Sequence, residues 1–345
     1  MNNNVIAIDL AKNSFHVCTL NANHKVLTDK AFTRQSLSRW LAKQPNSEVV
    51  VEACGSAHFW ARYVKELGHT PKIITPKCVT PFRKGHKTDQ NDALAIAIAS
   101  KQPRVKAVAI KTIEQQGLQS IEKIRQHLSD SLTATSNMLR ALVYEFGIVI
   151  PKGNTAFKSK LPDILEDAEN DLPDAFRKQL ALMYRMYLTT EIQQQDVEKQ
   201  LFVLINQQEH CKKLMKLEGV GPVNALGLYL ALGKDGKSFS QGREASACIG
   251  LTPKQYSTGG VTTLGSIGKT SGNRRLRSSL IQGALSVAKV VAKREPKNNK
   301  EAWLKKLIER CGIRKAAVAL ANKTIRTAWS MLKHNSEYHQ PMAII

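Results

Sequence analysis

Acidic residues are scarce in this chain: 28 Asp+Glu stand against 51 Lys+Arg, a formal charge of +23 over 345 residues. That imbalance argues against an ordinary acidic metabolic enzyme. It points to a polyanionic partner, nucleic acid first and a membrane surface second. Long hydrophobic runs are missing as well, and no apolar stretch approaches the roughly 18 residues that span a bilayer. The opening MNNNVIAIDLAKNS has neither a basic leader nor a long apolar segment, so a cytoplasmic protein without membrane attachment is expected. The six cysteines (Cys18, Cys54, Cys78, Cys211, Cys248, Cys311) form no C-x-x-C pair, and the nine histidines form no HxH or HxxxH set. Neither a zinc site nor a disulfide framework is indicated. Gly268-Lys269-Thr270 is not a P-loop, because the pattern needs glycine where Thr263 stands.

What is present is enough apolar residue for real cores, 42% of the chain, in three kinds of segment. In residues 1–110, Val5–Leu10, Phe15–Leu20 and Lys25–Phe32 read as three closely spaced strands. A helix over Arg34–Lys43, a strand over Glu48–Ala53, a helix over Ala57–Leu67, a strand over Pro71–Thr75 and a helix over Asp89–Ser100 follow. Three strands and then alternating helices and strands predict a mixed sheet with helices on its faces, an order that a ribonuclease-H-like fold shows and that other α/β folds also fit. In residues 111–212, apolar side chains recur at three- and four-residue steps from Thr112 to Phe146 and from Phe176 to about Ile205. Two long amphipathic helices result, as a hairpin or coiled-coil arm or as part of an ordinary bundle. Pro151–Pro173 between them reads as a loop-rich turnaround. Residues 213–345 should form a mostly helical third domain. Residues 251–345 hold 18 Lys+Arg against 4 Asp+Glu, +14 of the chain's +23, which makes this third the expected polyanion grip.

Four carboxylates are placed unusually. Asp9 ends the apolar run VIAIDLAK, and Glu52 ends VVVEACG. Ends of central strands are where α/β sheets expose functional side chains. Asp89 and Asp92, in KTDQNDA, share one face at the start of a helix, where capping is the plainer role. Buried carboxylates at strand ends are costly unless paired or bound to metal. In so basic a chain, acids gathered at one place suggest Mg²⁺ for phosphodiester chemistry. Elsewhere, Lys269, Arg274, Arg275 and Arg277 read as phosphate contacts or as a solvated helix face, and Tyr256 as a base-stacking or a packed aromatic. Glu218-Gly219-Val220-Gly221-Pro222 reads equally as a phosphate-approaching helix-hairpin-helix turn or a plain interhelical turn.

The ordered set IDLAKNSFHV, VEACGSA, KTDQNDA and GLTPKQYSTGG…GNRRLRSSL resembles the DEDD transposases of insertion-sequence family one hundred and ten, and within it the subgroup numbered eleven hundred and eleven. The resemblance spans about residues 5–335. It implies an N-terminal domain like the RuvC junction resolvase, with Asp9, Glu52, Asp89 and Asp92 as the metal-binding tetrad for Mg²⁺ or, in its place, Mn²⁺. It also implies a C-terminal transposase domain with a nucleophilic serine after the GL-x-P motif. Here Gly250-Leu251-Thr252-Pro253 is followed by Ser257 and Thr258. Measured from Pro253, the serine position of some relatives falls on Thr258, yet the serine here is Ser257; without the resemblance these residues read as a polar turn before Gly259 and Gly260. Ser257 is the favoured nucleophile, because a primary hydroxyl is less crowded than a β-branched one.

The implied partners are double-stranded DNA, an element-encoded guide RNA and further copies of the chain in a homodimer or homotetramer. The absence of any convincing helix-turn-helix or zinc finger fits specificity delegated to a guide. The runner-up function is a Mg²⁺-dependent junction nuclease that uses water. A sugar-kinase or actin-like ATPase would need a second copy of the early strand unit, which is missing. An architectural DNA binder would leave the four acids unexplained.

Overall fold

The computed structural model describes residues 4–268 and 272–339. The first elements are β1 (Val5–Leu10), β2 (Ser14–Leu20), β3 (Val26–Thr33), α1 (Arg34–Leu41), β4 (Glu48–Glu52), α2 (Ala57–Glu66), β5 (Thr70–Ile74), α3 (Pro76–Val79) and α4 (Asp89–Ser100). The strands form one sheet in the order β3-β2-β1-β4-β5. β1, β2 and β3 pair antiparallel, while β1, β4 and β5 run parallel. This is the mixed, ribonuclease-H-like sheet that the element order predicts.

Strand alternation sorts the apolar side chains onto two faces. Ile6, Ile8, Phe15, Val17, Val49, Val51 and Ile73 pack against Leu37 and Leu41 of α1 and Trp60, Ala61 and Val64 of α2. Val5, Ala7, Cys18, Leu20, Val50 and Ile74 pack against the alanines and Ile96 of α4. β1 is therefore buried on both sides, which is why its run is unbroken hydrophobic until Asp9.

Next come α5 (Ile113–Tyr144), α6 (Asn154–Glu166), α7 (Asp174–Gln207) and α8 (Glu209–Met215). Glu114 to Met215 forms a compact unit of its own, and the elements up to Ile113 join those from Lys216 onward in another. Within the helical unit, α5 and α7 are antiparallel. Gln208, just past the end of α7, bonds Glu114 at the start of α5, Arg125 pairs with Glu198 at 3.7 Å, and Phe146 stacks on Phe176 at the other end. The expected loop between the long helices is instead largely α6. Phe157 and Leu161, one turn apart, enter a core with Leu139, Val143, Leu180 and Tyr187, and that burial outweighs the cost of Pro162 inside the helix.

The remaining elements are α9 (Pro222–Leu232), α10 (Gly242–Ile249), β6 (Pro253–Thr258), β7 (Val261–Ile267), α11 (Arg274–Val291), α12 (Asn299–Cys311) and α13 (Ile313–His334). α13 is the hub: α9, α10, α11 and α12 all pack on it, and its Ala316, Ala317, Leu320, Ala321, Ile325 and Ala328 are buried. The Glu218–Pro222 turn is a packing device. Gly219 has φ +76°, and a Cβ on Gly283 of α11 would stand 2.0 Å from the Gly219 carbonyl oxygen, so the two backbones touch. Glu218 itself binds Lys300 and the Tyr338 hydroxyl.

Candidate active site

Asp9 and Glu52 are brought together by register. β1 and β4 are parallel, with Ile8 beside Val51, so the next residue of each strand places the two carboxyls side by side. Alternation turns both toward the face that carries Val5, Ala7, Val50 and α4. α4 delivers its N-terminal turn to that face. Thr88, not either aspartate, caps the helix, its hydroxyl accepting the Asn91 N–H at 3.2 Å. The plainer role considered for Asp89 and Asp92 is thus filled by a neighbour. Asp92 is half-buried and receives Arg83 Nη1 at 3.2 Å; Asp89 is exposed.

The acids sense one another. Burial, then the charges of Asp89 and Asp92, push the Asp9 carboxyl above its ordinary pKa, with His16 and Lys87 pulling the other way. Burial, then Asp9 and Asp92, likewise raise Glu52, against Arg83 and Lys87. Four oxygen-donor side chains with charge only partly compensated are a suitable donor set for a hard divalent cation. The side chains are not arranged as a finished cage: among the described residues no three His, Cys, Asp or Glu groups stand together closely enough to hold a metal ion.

Three further residues escaped the reading of the sequence. His16 lies directly across β2 from Asp9, and its Nε2 meets Asp29 Oδ1 at 2.5 Å. Asp29, on β3, also accepts a hydrogen bond from Gln90 in the first turn of α4. Burial raises the Asp29 carboxyl, but the bonds from His16 and Gln90 outweigh it and hold the group below its usual range. The chain β1–His16–Asp29–Gln90 ties the first turn of α4 to the sheet beside Asp9. Only cross-strand register could have revealed it, because the three residues are unremarkable in sequence.

Ser257 and Thr258 lie on β6, whose partner β7 completes a hairpin within the third of the chain expected to be mostly helical. Gly259 and Gly260, with φ +57° and +82°, make a two-residue turn whose twist suits the hairpin. Both strands are almost wholly exposed, which is why their polar residues gave no strand signal. Ser257 Oγ lies 3.2 Å from Thr262 Oγ1, and Tyr256 is 60% exposed. Arg274 and Arg275 are exposed on the first turn of α11, which Asn273 caps. Arg277 is different. It is only 7% exposed and its Nη1 reaches the Ile249 carbonyl at 3.5 Å, so it holds α11 to the end of α10 and is not a surface contact. Lys269 lies outside the described residues.

Comparison with known proteins bears directly on this arrangement. A family model for the transposase DEDD_Tnp_IS110 matches residues 6–148, and one described as "Transposase IS116/IS110/IS902 family" matches residues 211–299. The transposase for insertion sequence element IS1111A of Coxiella burnetii is 35% identical over 97% of this chain and 91% of its own length. A probable family 20 transposase of Pseudomonas aeruginosa is 34% identical over 98% of this chain and 99% of its own.

The chain belongs to the IS110 family of transposases.

It is thereby an enzyme that cuts and rejoins DNA. The first match runs from β1 to the end of α5 and so contains all four acids; the second runs from α8 to the start of α12 and contains the hairpin. A structure of Thermus thermophilus RuvC with a Holliday junction substrate aligns with 31% of this transposase and 99% of its own chain, at 13% identity and a TM-score of 0.23. Among the described residues, no helix of this transposase is long and apolar enough to cross a membrane.

Proposed function

We propose that this transposase moves an insertion sequence by joining DNA ends through a protein-bound phosphodiester, with a divalent cation, Mg²⁺ or Mn²⁺, held by Asp9, Glu52, Asp89 and Asp92. The observation that carries this reading is the pair Asp9 and Glu52, side by side and facing the first turn of α4. When bound, the cation polarises the scissile phosphate. Asp9 and Glu52, on rigid central strands, provide the fixed half of the donor set. Asp89 and Asp92, on the first turn of α4, would complete it, with Arg83 the present partner of Asp92. Ser257 Oγ attacks phosphorus: the Oγ–P bond forms as the bond to the departing nucleoside oxygen breaks, and the proton that the serine hydroxyl gives up passes to that oxygen. Attack by another strand end reverses the exchange and frees the serine. Thr258 is the alternative nucleophile one residue on.

The hairpin is exposed and, among the described residues, no hydrogen bond joins Ser257 or Thr258 to the four acids. This supports delivery of the hydroxyl to the acids of another copy in a homodimer or homotetramer. Exposed Ile124, Met186, Ile192 and Val203 on the long helices offer apolar area for such an assembly. Duplex DNA at element ends and target is the substrate, and an element-encoded guide RNA selects it in the cytoplasm. The basic C-terminal third supports backbone contacts to such an RNA.

A denaturing-gel search for a covalent protein–DNA adduct with cognate ends tests the chemistry. An adduct lost in Ser257→Ala and in Asp9→Asn is expected. Loss only in Thr258→Ala moves the nucleophile by one residue. Metal-dependent cleavage with no adduct replaces the proposal with a water-using junction nuclease. Correct recombination by preparations free of any discrete RNA removes the guide.

A further inference from the structure

The first turn of α10 lies against α13, and a cavity of about 420 Å³ opens at their meeting. Gly242 makes the approach possible, because a Cβ there would come within 3.2 Å of Arg326 Cα and of the Trp329 ring. Three cationic side chains, Arg243, Lys323 and Arg326, line the cavity, and no carboxylate lines it. The acid that sequence places next to Arg243 is taken elsewhere. Glu244 Oε2 receives Lys106 Nζ at 2.6 Å and the Ser240 N–H at 2.9 Å, and these bonds, Lys106 first, hold its carboxyl down to about 2.

Among the described residues neither Arg243 nor Arg326 has a carboxylate partner. The walls are stiff. Trp329 Nε1 donates to the carbonyls of Gly236 and Phe239 at 3.1 and 3.3 Å, and Lys323 Nζ sits 4.6 Å from the centre of the Trp303 ring. Ser330 adds a neutral donor to the lining. Arg243, Lys323 and Arg326 are exposed, so their cationic heads can reach an anion seated at the cavity mouth without first breaking an ion pair. A tetrahedral oxyanion suits the forked donors of the two guanidiniums.

We propose that this α10–α13 cavity seats a backbone phosphate of the DNA on which the transposase acts, on residues distinct from the four acids and from the serine hairpin. The assignment rests on the family activity, and DNA is chosen over other polyanions because DNA is the molecule this family cuts. Its energetic share is that of a positioning contact: it fixes the C-terminal domain on the duplex and reads no base.

The test is equilibrium binding of the full chain to a duplex DNA fragment, in a chelator, over a series of salt concentrations. Omitting divalent ions separates this result from the chemistry proposed above, which can fail without touching it. Arg243→Ala/Arg326→Ala is expected to weaken binding about tenfold or more and to flatten the dependence of log affinity on log salt by about one to two ions. Arg243→Lys/Arg326→Lys should keep most of the salt slope while losing part of the affinity. Unchanged thermal melting checks that the fold survives each substitution. Unchanged duplex affinity, weakened binding with an unchanged slope, or a loss confined to RNA would each overturn the assignment.

Discussion

Asp9 of β1 and Glu52 of β4 are adjacent carboxylates on parallel central strands, one step beyond the Ile8–Val51 pair. Without a cation this is an unfavourable arrangement, and the sign of its effect on stability follows from the raised Asp9 pKa. A carboxyl whose folded pKa lies above its ordinary 3.8 contributes stability fully below that value and loses it as pH rises through the folded value. In a chelator, Asp9→Asn should therefore melt higher than the parent at neutral pH, with the gap closing as pH falls toward about 4. Divalent ions should raise the melting temperature of the parent and leave that of Asp9→Asn nearly unmoved. A variant less stable than the parent at every pH would contradict the repulsion argument.

Asp29 works in the opposite direction. Its bonds from His16 and Gln90 hold it below the usual carboxylate range, so its contribution is present above about 4 and vanishes as pH falls through the lower, folded value. Asp29→Asn should cost stability at neutral pH and little in acid. It should also loosen the first turn of α4, raising the divalent-ion concentration needed for half-maximal strand cleavage several-fold. Equal cleavage at every ion concentration would show that Asp29 is structural only.

These two pairs mark what the sequence could and could not disclose. Asp9, Glu52, Asp89 and Asp92 were legible because each breaks a strong local pattern, at the end of an apolar run or at a helix start. β1 and α4 were legible to the residue for the same reason. His16 and Asp29 were not, since their meaning comes from cross-strand register. β6 and β7 were missed because strands exposed on both faces bury nothing and carry no alternation. Arg277 was misplaced because its neighbours Arg274 and Arg275 do face solvent and only the helix phase separates it from them.

Gly219 and Gly283 give a sharper test of the turn that begins with Glu218. A methyl on Gly283 would collide with backbone, which cannot swing away as a side-chain tip could. Gly283→Ala should cost about 1–3 kcal/mol, the range for forcing extra volume into a packed region. DNA affinity per folded molecule should stay unchanged. Weaker DNA binding at full stability would restore the phosphate-approaching role of these glycines.

Pro162 and Tyr184 are coupled through a single backbone carbonyl. Proline has no N–H, so the Lys158 carbonyl, one turn earlier in α6, lacks its helical donor. The Tyr184 hydroxyl supplies one from α7 at 3.3 Å. The Tyr184 ring also stacks on Tyr187 and meets Phe157 edge-on, contacts that Tyr184→Phe preserves. In the parent, that substitution takes the hydroxyl donor away from this carbonyl and should cost about 0.5–1.5 kcal/mol. Pro162→Ala restores the backbone donor and should stabilise the helix by part of the roughly 3 kcal/mol that an interior proline costs. In the Pro162→Ala background the Lys158 carbonyl already has its helical partner, so adding Tyr184→Phe should be nearly neutral. A double-mutant cycle by denaturant unfolding reads the difference directly. Additive effects would mean that the carbonyl finds water in either background, and that the hydroxyl bond contributes nothing to tolerating a proline in mid-helix.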